Sequence, residues 1–185
     1  MTQLGPVRAT CYTIERHQHL FAAWAASRAA ATVKGCRFKV EQGRAILESC
    51  GLADLSAPEQ LPTSEGIDEQ HRHWRTRAIE VAKVQKLPFT HGIAAKLINV
   101  YLKSRFVCGG HCAHERVRNL HPPIDDELLK TLIRLNVGGH AQQWRDARPW
   151  SKLDSGRYEQ LIELIRETLN GEPLWKIEEH WKGNQ

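Results

Sequence analysis

Apolar residues recur at helical spacing along most of the chain, and this pattern predicts helices joined by short polar loops. An alanine-rich helix is expected over residues 13–32 and a second helix over residues 38–50, each followed by a glycine that favours helix termination. A connecting loop spans residues 53–62, and Thr63 or Ser64 is expected to cap a third helix. The apolar stripe of this third helix comprises Ile67, Trp74, Ala78, Val81 and Ala82.

The second half of the chain continues the helical pattern. A fourth helix is expected after the turn that contains Pro88 and Gly92, and a fifth is expected to run from Asp125 to the glycine pair at 138–139. Residues 104–121 are polar and contain glycine, so they are expected to form a loop outside the core.

Two more helices are expected near the carboxyl end. Asp154 or Ser155 is expected to cap the first, whose inward residues are Tyr158, Leu161, Ile162, Ile165 and Leu169. Pro173 suits the start of the second, which is expected to place Leu174, Ile177 and Trp181 inward. Residues 1–12 show no clear period and are interpreted as an extended lead-in. Since no segment alternates like a strand, the sequence predicts an all-α fold of seven or eight helices.

Two side chains in this pattern are candidates for chemistry. Lys96 lies in the first turns of the fourth helix, and Asp125 stands at the N-cap of the fifth, with Asp126 as the alternative carboxylate. Helical spacing puts Lys96 on a polar stripe with Gly92, so an ordinary surface lysine is one interpretation. A capping role alone is likewise an alternative for Asp125.

The residues around this pair resemble the helix-hairpin-helix DNA glycosylase superfamily, the group of endonuclease III and 8-oxoguanine glycosylase. The family motif L-P-G-V-G-R-K-T-A-N-V-V-L is matched by Gly92 to Lys96 and by Asn99-Val100, with Ala94 in place of the second hairpin glycine. The second family motif, V-D-T-H-V-x-R-V-x-x-R-L, is matched from Asp125 to Leu135. The interval between the two motifs is longer than in the family.

This resemblance implies an enzyme of DNA base excision that acts on a damaged duplex or an abasic site. Lys96 would be the nucleophile that forms a Schiff base, as in a glycosylase with AP-lyase activity, and Asp125 would be the base. The backbone at Gly92 and Ala94 would contact a DNA phosphate. The chain would be one helical unit or two lobes, with residues 63–135 in the hairpin lobe and residues 1–62 with 136–185 in the other.

The alternative from another class is a non-catalytic helical protein that binds nucleic acid or a partner. One observation separates the two hypotheses, because an enzyme requires Lys96 and Asp125 to face a single cleft. Side chains on opposite surfaces would exclude the enzyme.

The third helix has a basic face opposite its apolar stripe, and a DNA backbone could lie along it. A solvated helix face has the same composition, so this interpretation stays open. The candidate DNA-binding residues on this face are Arg72, Arg75, Lys83 and Lys86.

Composition adds weaker indications. Lys and Arg number 26 against 21 Asp and Glu, giving a formal net charge of +5, which is compatible with an anionic partner but does not identify one. We expect a cytoplasmic protein without a membrane partner, since neither a leader pattern nor a membrane-length apolar run is present. The odd number of cysteines, five, does not suggest a disulfide framework. The sequence does not indicate an oligomeric state.

Two further groups of residues are candidates for a site. Cys108, His111, Cys112 and His114 are close in sequence, but their spacing does not match a usual zinc site, so we expect no metal and no cofactor. A flexible loop is the alternative for this segment. Trp144 and Trp150 stand beside arginines and could line a base pocket, although most tryptophans of the chain are expected in the core.

Overall fold

A computed structural model describes residues 12–183, and within that range the chain is helical without strands. The predicted all-α fold is therefore confirmed. Eight α-helices follow in order: α1 (Ile14–Ala30), α2 (Val40–Ser49), α3 (Ile67–Val84), α4 (His91–Leu102), α5 (Glu115–Arg118), α6 (Asp126–Arg134), α7 (Ala141–Asp146) and α8 (Ser155–Leu169). Almost all of the predicted lead-in at residues 1–12 lies outside the described residues.

Helix α4 is the centre of the core. Ten of its twelve residues are buried, because α1, α3, α8 and the turn that starts at Trp150 all pack against it. The alanines of α1 permit the closest of these approaches, since Ala22, Ala23 and Ala26 are almost completely buried. A helix enclosed on so many sides holds its side chains in fixed positions.

Local capping signals account for most helix starts. The Thr90 hydroxyl accepts the N–H of Ile93 at the start of α4, and Asp125 accepts the N–H of Leu128 at the start of α6. Asp154 caps α8 in the same way, as the sequence predicts. The prediction for α3 was wrong, because Gly66 and not Thr63 or Ser64 stands at its N-cap.

Residues 104–121 are not the loop that their polarity suggested. The helical path of α4 continues as a π-helical segment, Lys103–His111, and the short helix α5 follows. Arg105 and Phe106 of the π-helical segment are buried, and Arg105 donates to the hydroxyl of Tyr101 over 3.0 Å. A paired arginine can thus enter the core in a stretch that is polar by composition.

The carboxyl-terminal segment differs from its prediction as well. Leu174 and Ile177 are buried as expected, but they belong to a 3-10 helix, Leu174–His180. Trp181 follows this helix and is 37% exposed, so the prediction that it points into the core was wrong.

A buried polar network joins α3, α4 and α8. His71 on α3 is bonded to Asn99 on α4 over 2.7 Å, and Asn99 donates to the hydroxyl of Tyr158 on α8 over 3.0 Å. The Tyr158 hydroxyl is also hydrogen-bonded to Nδ1 of His121 over 3.1 Å. The Nε2 atom of His121 is hydrogen-bonded to Oδ1 of Asp68 over 2.8 Å. Burial lowers the pKa of both histidines, so both rings are held neutral in the fold.

Within the described range, every helix is too short or too polar to cross a lipid bilayer.

Candidate functional site

Lys96 and Asp125 meet at the surface of the core. The lysine Nζ lies 3.0 Å from the Oδ2 atom of Asp125, although 29 residues separate them in sequence. Lys96 is only 7% exposed, so the interpretation as an ordinary surface lysine was wrong. The two side chains face one pocket, which is the arrangement that an enzyme required.

Asp125 receives three hydrogen bonds, which together fix its orientation. Its Oδ1 atom accepts the N–H of Leu128 over 2.9 Å, and its Oδ2 atom accepts from both Lys96 and the indole N–H of Trp181, each over 3.0 Å. Burial disfavours the charge of Asp125, but the Lys96 ammonium and the Leu128 N–H outweigh it and hold the pKa below its ordinary value. The carboxyl group is therefore an ionised acceptor at neutral pH.

For the amine of Lys96, burial outweighs the effect of the partner charge on the pKa. Burial lowers its pKa below the ordinary value, and the negative charge of Asp125 offsets this only in part. The centre of the Trp150 ring lies 6.0 Å from the Nζ atom, and both side chains line the pocket. A lysine with a lowered pKa holds a larger fraction of neutral amine, which is the nucleophilic form.

The pocket in front of this pair has a volume of about 670 Å³, which is in the range of small-molecule sites. Its walls come from the end of α1, the inner face of α4, the start of α6 and the segment after α8. The polar side chains that line it are Thr32, Lys34, Lys96, Lys103, Ser104, Asp125, Asp126, Glu127, Ser151 and Glu178. Trp150 and Trp181 supply the aromatic surface.

Glu178 and Lys103 form a second hydrogen-bonded pair of ionisable side chains in the same pocket. Lys103 lies seven residues after Lys96 on the same helical path, and it donates to the Oε2 atom of Glu178. Burial raises the pKa of Glu178, against the opposing effect of Lys103. Sequence reasoning missed Glu178, because the acidic pair Glu178-Glu179 looks like any solvated stretch of a terminal helix.

The two tryptophans that the sequence suggested for a base pocket have different environments. Trp150 lines the pocket, whereas Trp144 is fully buried and donates its indole N–H to the carbonyl of Val137 over 3.0 Å. The assignment of Trp144 to a base pocket was therefore wrong. Trp181 also lines the pocket, and its indole N–H donates to Asp125.

The turn at Gly92 is covered by another part of the chain. Its N–H donates to the carbonyl of Leu153 over 3.1 Å, and a Cβ atom added at Gly92 would lie 1.9 Å from the carbonyl oxygen of Trp150. Ala94 is fully buried. Neither residue can contact a phosphate in this conformation, and the glycine at 92 serves instead to let the Trp150 turn approach α4.

Only part of the basic face that the sequence predicts for α3 is exposed. Arg75 is fully buried, pairs with Glu159 over 2.8 Å and covers the ring of Tyr158, so its assignment to DNA binding was wrong. Arg72 is exposed but is held by the same glutamate. Lys83 and Lys86 are exposed, as the prediction required.

The cysteine and histidine segment does not form a metal site. Cys108 and His111 are exposed at the end of the π-helical segment, and His114 caps α5 by accepting the N–H of Arg116. No group of three or more His, Cys, Asp and Glu side chains in residues 12–183 is arranged to hold a metal ion. Cys112 is a free thiol.

No protein-family model matches the chain, and no curated protein or solved structure that was compared with it does so either. The resemblance to the glycosylase superfamily therefore depends on the motif residues alone.

Proposed function

We propose that the protein is a DNA glycosylase with AP-lyase activity, in which Lys96 is the nucleophile and Asp125 the base. The observation that supports this best is the 3.0 Å contact between the lysine Nζ and the Asp125 Oδ2 inside a pocket walled by two tryptophans. A nucleophile within hydrogen-bond reach of its base is the usual arrangement for covalent catalysis.

The proposed reaction uses both groups in sequence. The neutral amine of Lys96 attacks C1′ of the deoxyribose, and the bond between C1′ and the base nitrogen breaks with its electron pair leaving on the base. Asp125 accepts a proton from the resulting ammonium and stabilises the positive charge on the sugar in the transition state. Opening of the sugar ring then gives an imine, from which β-elimination breaks the strand.

The pocket suits a nucleotide that has been rotated out of the duplex. Enzymes that act on a base in DNA extrude it and stack it on aromatic or apolar side chains. Trp150 and Trp181 offer such surfaces in the pocket that Asp125 lines, and the volume of about 670 Å³ leaves room for a base and its sugar. Lys34, which is exposed on the pocket wall, would contact the adjacent phosphate in this proposal.

The burial of Lys96 is a further argument for function over stability. Desolvating an ammonium and a carboxylate costs about as much as their attraction returns, so apolar residues of similar size would serve the fold as well or better. The Lys96 and Asp125 pair nevertheless occupies the wall of a pocket of about 670 Å³, where its chemistry would be useful.

Borohydride trapping tests this proposal directly. If Lys96 forms an imine with an abasic site, reduction should give a stable covalent adduct between the protein and the DNA. Lys96→Met should abolish the adduct while the protein stays folded, because methionine fills the buried space without a charge. Lys39→Met, at an exposed lysine outside both the pocket and the candidate DNA-binding face, should trap like the unaltered protein. Adducts that survive Lys96→Met would identify a different nucleophile, with Lys103 the first candidate.

DNA binding should be measured in the same experiment. We expect affinity for duplex DNA to fall steeply as salt rises, with a slope set by the number of phosphates contacted. Removing the charge of Lys83 or Lys86 should lower that slope by about one each if those lysines contact phosphates. An absence of binding at low salt would contradict the proposal as a whole.

A non-catalytic binding protein is the second candidate, and one observation favours it. Ile14, Phe21 and Trp24 are exposed along a single face of α1, where a partner could cover them. Unaltered protein that binds abasic DNA but never gives an adduct would favour this candidate over the enzyme.

A further inference from the structure

Two of the carboxyl groups that line the pocket, those of Asp125 and Glu178, have sharply different surroundings. Asp125 accepts three hydrogen bonds, from Lys96, Trp181 and the backbone of Leu128. Glu178 accepts one, from Lys103 to its Oε2 atom, whereas its Oε1 atom is buried without a hydrogen-bond partner among the described residues. One carboxyl is built to hold a charge and the other is not.

The single hydrogen bond of Glu178 matches the neutral acid better than the anion. A buried carboxylate oxygen without a donor loses its hydration and gains nothing in return. In the neutral acid, Oε2 is the carbonyl oxygen that accepts from Lys103. Oε1 then carries the proton, and this O–H group is free to donate to a bound molecule.

Charged groups from three other elements act on Glu178. Lys103 on the π-helical segment and Lys96 on α4 favour its ionised form, while Asp125 at the start of α6 and burial favour its neutral form. Burial is the largest of these effects, and the pKa of Glu178 lies above its ordinary value. The pKa of Asp125 is shifted the other way. Carboxyl groups with opposite shifts in one site commonly divide the roles of acid and base.

We propose that Glu178 is the general acid that protonates the departing base. This inference rests on the proposed glycosylase function and adds the second proton transfer, which Asp125 cannot perform while it accepts the proton of Lys96. The terminal torsion of a glutamate is soft, so the O–H group can turn from its buried position toward a base held between the tryptophans.

The groups in the site account for every bond and proton that changes in this step. The Lys96 amine forms a bond to C1′, and the electron pair of the broken C1′–N bond goes to the base nitrogen. Glu178 gives that nitrogen its proton and becomes a carboxylate, which the Lys103 ammonium stabilises. Asp125 takes one proton from the alkylated Lys96 and becomes neutral. No oxidant, reductant or metal is needed.

Two substrates separate this role from that of Lys96. A duplex carrying uracil, 8-oxoguanine, thymine glycol or an alkylated purine has a base to expel, whereas a preformed abasic site has none. Glu178→Gln should lower the rate of base release by a factor on the order of 10², the scale of general acid catalysis. It should leave borohydride trapping on the abasic site close to that of the unaltered protein. The amide oxygen still accepts from Lys103, so the variant should fold.

The pH profile gives a second measurement. Base release by the unaltered protein should decline at high pH as Glu178 loses its proton, and Glu178→Gln should remove that limb. Glu179→Gln, the exposed neighbour, is the matched control and should change neither substrate nor profile.

Three results would overturn the inference. Base release that is unchanged in Glu178→Gln would mean that the carboxyl is not the acid. An equal loss of base release and trapping, together with a lower melting temperature, would mean that Glu178 is only structural. Unaltered protein that neither releases a base nor traps would show instead that the proposed function fails, and the inference would fall with it.

Discussion

Trp181 donates its indole N–H to the Oδ2 atom of Asp125 over 3.0 Å, from a segment 56 residues further along the chain. The same oxygen accepts the Lys96 amine, so a tryptophan outside the core shares the central acceptor of the site. The hydrogen bond favours the carboxylate, and it is one reason why the pKa of Asp125 lies below its ordinary value.

Trp181→Phe should therefore raise the pKa of Asp125. The base must be ionised to act, so activity should be lost at a higher pH on the acid side of the profile, while the rate on the plateau changes less. The measurement is kcat/KM for base release from about pH 4 to 9. On the acid side, kcat/KM should follow the titration of one group, Asp125. Trp175→Phe is the control, because the Trp175 indole nitrogen has no partner in residues 12–183. Equal profiles for the two variants would contradict the prediction.

Asp125→Asn should keep the fold and lose most of the activity. Asparagine is as good an N-cap as aspartate, so α6 should form normally. The amide neither accepts the proton of Lys96 nor stabilises positive charge, and we expect a loss on the order of 10²- to 10⁴-fold in base release.

Asp126→Asn is the control for this change. Asp126 also lines the pocket, but it pairs with Arg148 over 3.1 Å, and the Lys96 amine donates to Asp125 instead. A greater loss from Asp126→Asn than from Asp125→Asn would transfer the role of base to Asp126, the alternative carboxylate of the sequence analysis.

Gly92→Ala should lower stability and disturb the pocket together. The added Cβ would lie 1.9 Å from the Trp150 carbonyl oxygen, so the turn that carries Trp150 must move away from α4. Such overpacking typically costs about 1–3 kcal/mol of unfolding free energy. Gly156→Ala in α8 meets its nearest atom at 3.7 Å and should be neutral or stabilising. Urea unfolding of both variants checks this, and a Gly92→Ala protein as stable as Gly156→Ala would contradict it.

Stability should fall in acid because of the buried network below the site. His71 and His121 are neutral in the fold with pKa values below 6.5, but in the unfolded chain each binds a proton as pH falls below about 6.5. Above this pH, these two histidines should add no pH dependence to the unfolding free energy. Below it, stability should drop by about 1.4 kcal/mol per histidine for each pH unit, until the folded protein also binds the protons.

Urea unfolding at pH 7.5, 6.5 and 5.5 measures this slope, and the pH values bracket the free histidine pKa of about 6.5. His71→Gln should remove about half of the slope while its amide can still meet Asn99. His73→Gln, an exposed histidine on the same helix, is the control and should leave the slope unchanged. A slope that is the same in all three proteins would place the acid sensitivity elsewhere.

The elements of the site that could be predicted are those encoded by local sequence. Asp125 is an N-cap because the backbone N–H of Leu128 is three residues away, and helical spacing put Lys96 in the first turns of α4. That the two side chains meet followed from the family resemblance and not from the helix pattern. Burial of Lys96 could not be read locally, since its stripe contains other polar residues.

The wrong predictions involve partners that are distant in sequence. Arg75 looked like a surface cation because Glu159, 84 residues later, gives no sign in the sequence that it enters the same interface. Trp181 and Glu178 reach the pocket only because the 3-10 helix folds back against α6 and α8. Composition indicated loop for the π-helical segment, and the pairing of Arg105 with Tyr101 overrides it.

One wall of the pocket is part of the protein core, whereas other walls are not. This difference limits which pocket residues can change without loss of stability. Lys96 belongs to α4, whose residues are fixed by packing on several sides, so almost any change on that wall would also be a change to the core. Other walls come from Thr32 to Lys34 and from Glu178 to Trp181, which contribute few core side chains. For the proposed enzyme, new substrate preferences should therefore arise by substitution in these two short segments, while the wall that carries Lys96 stays unchanged.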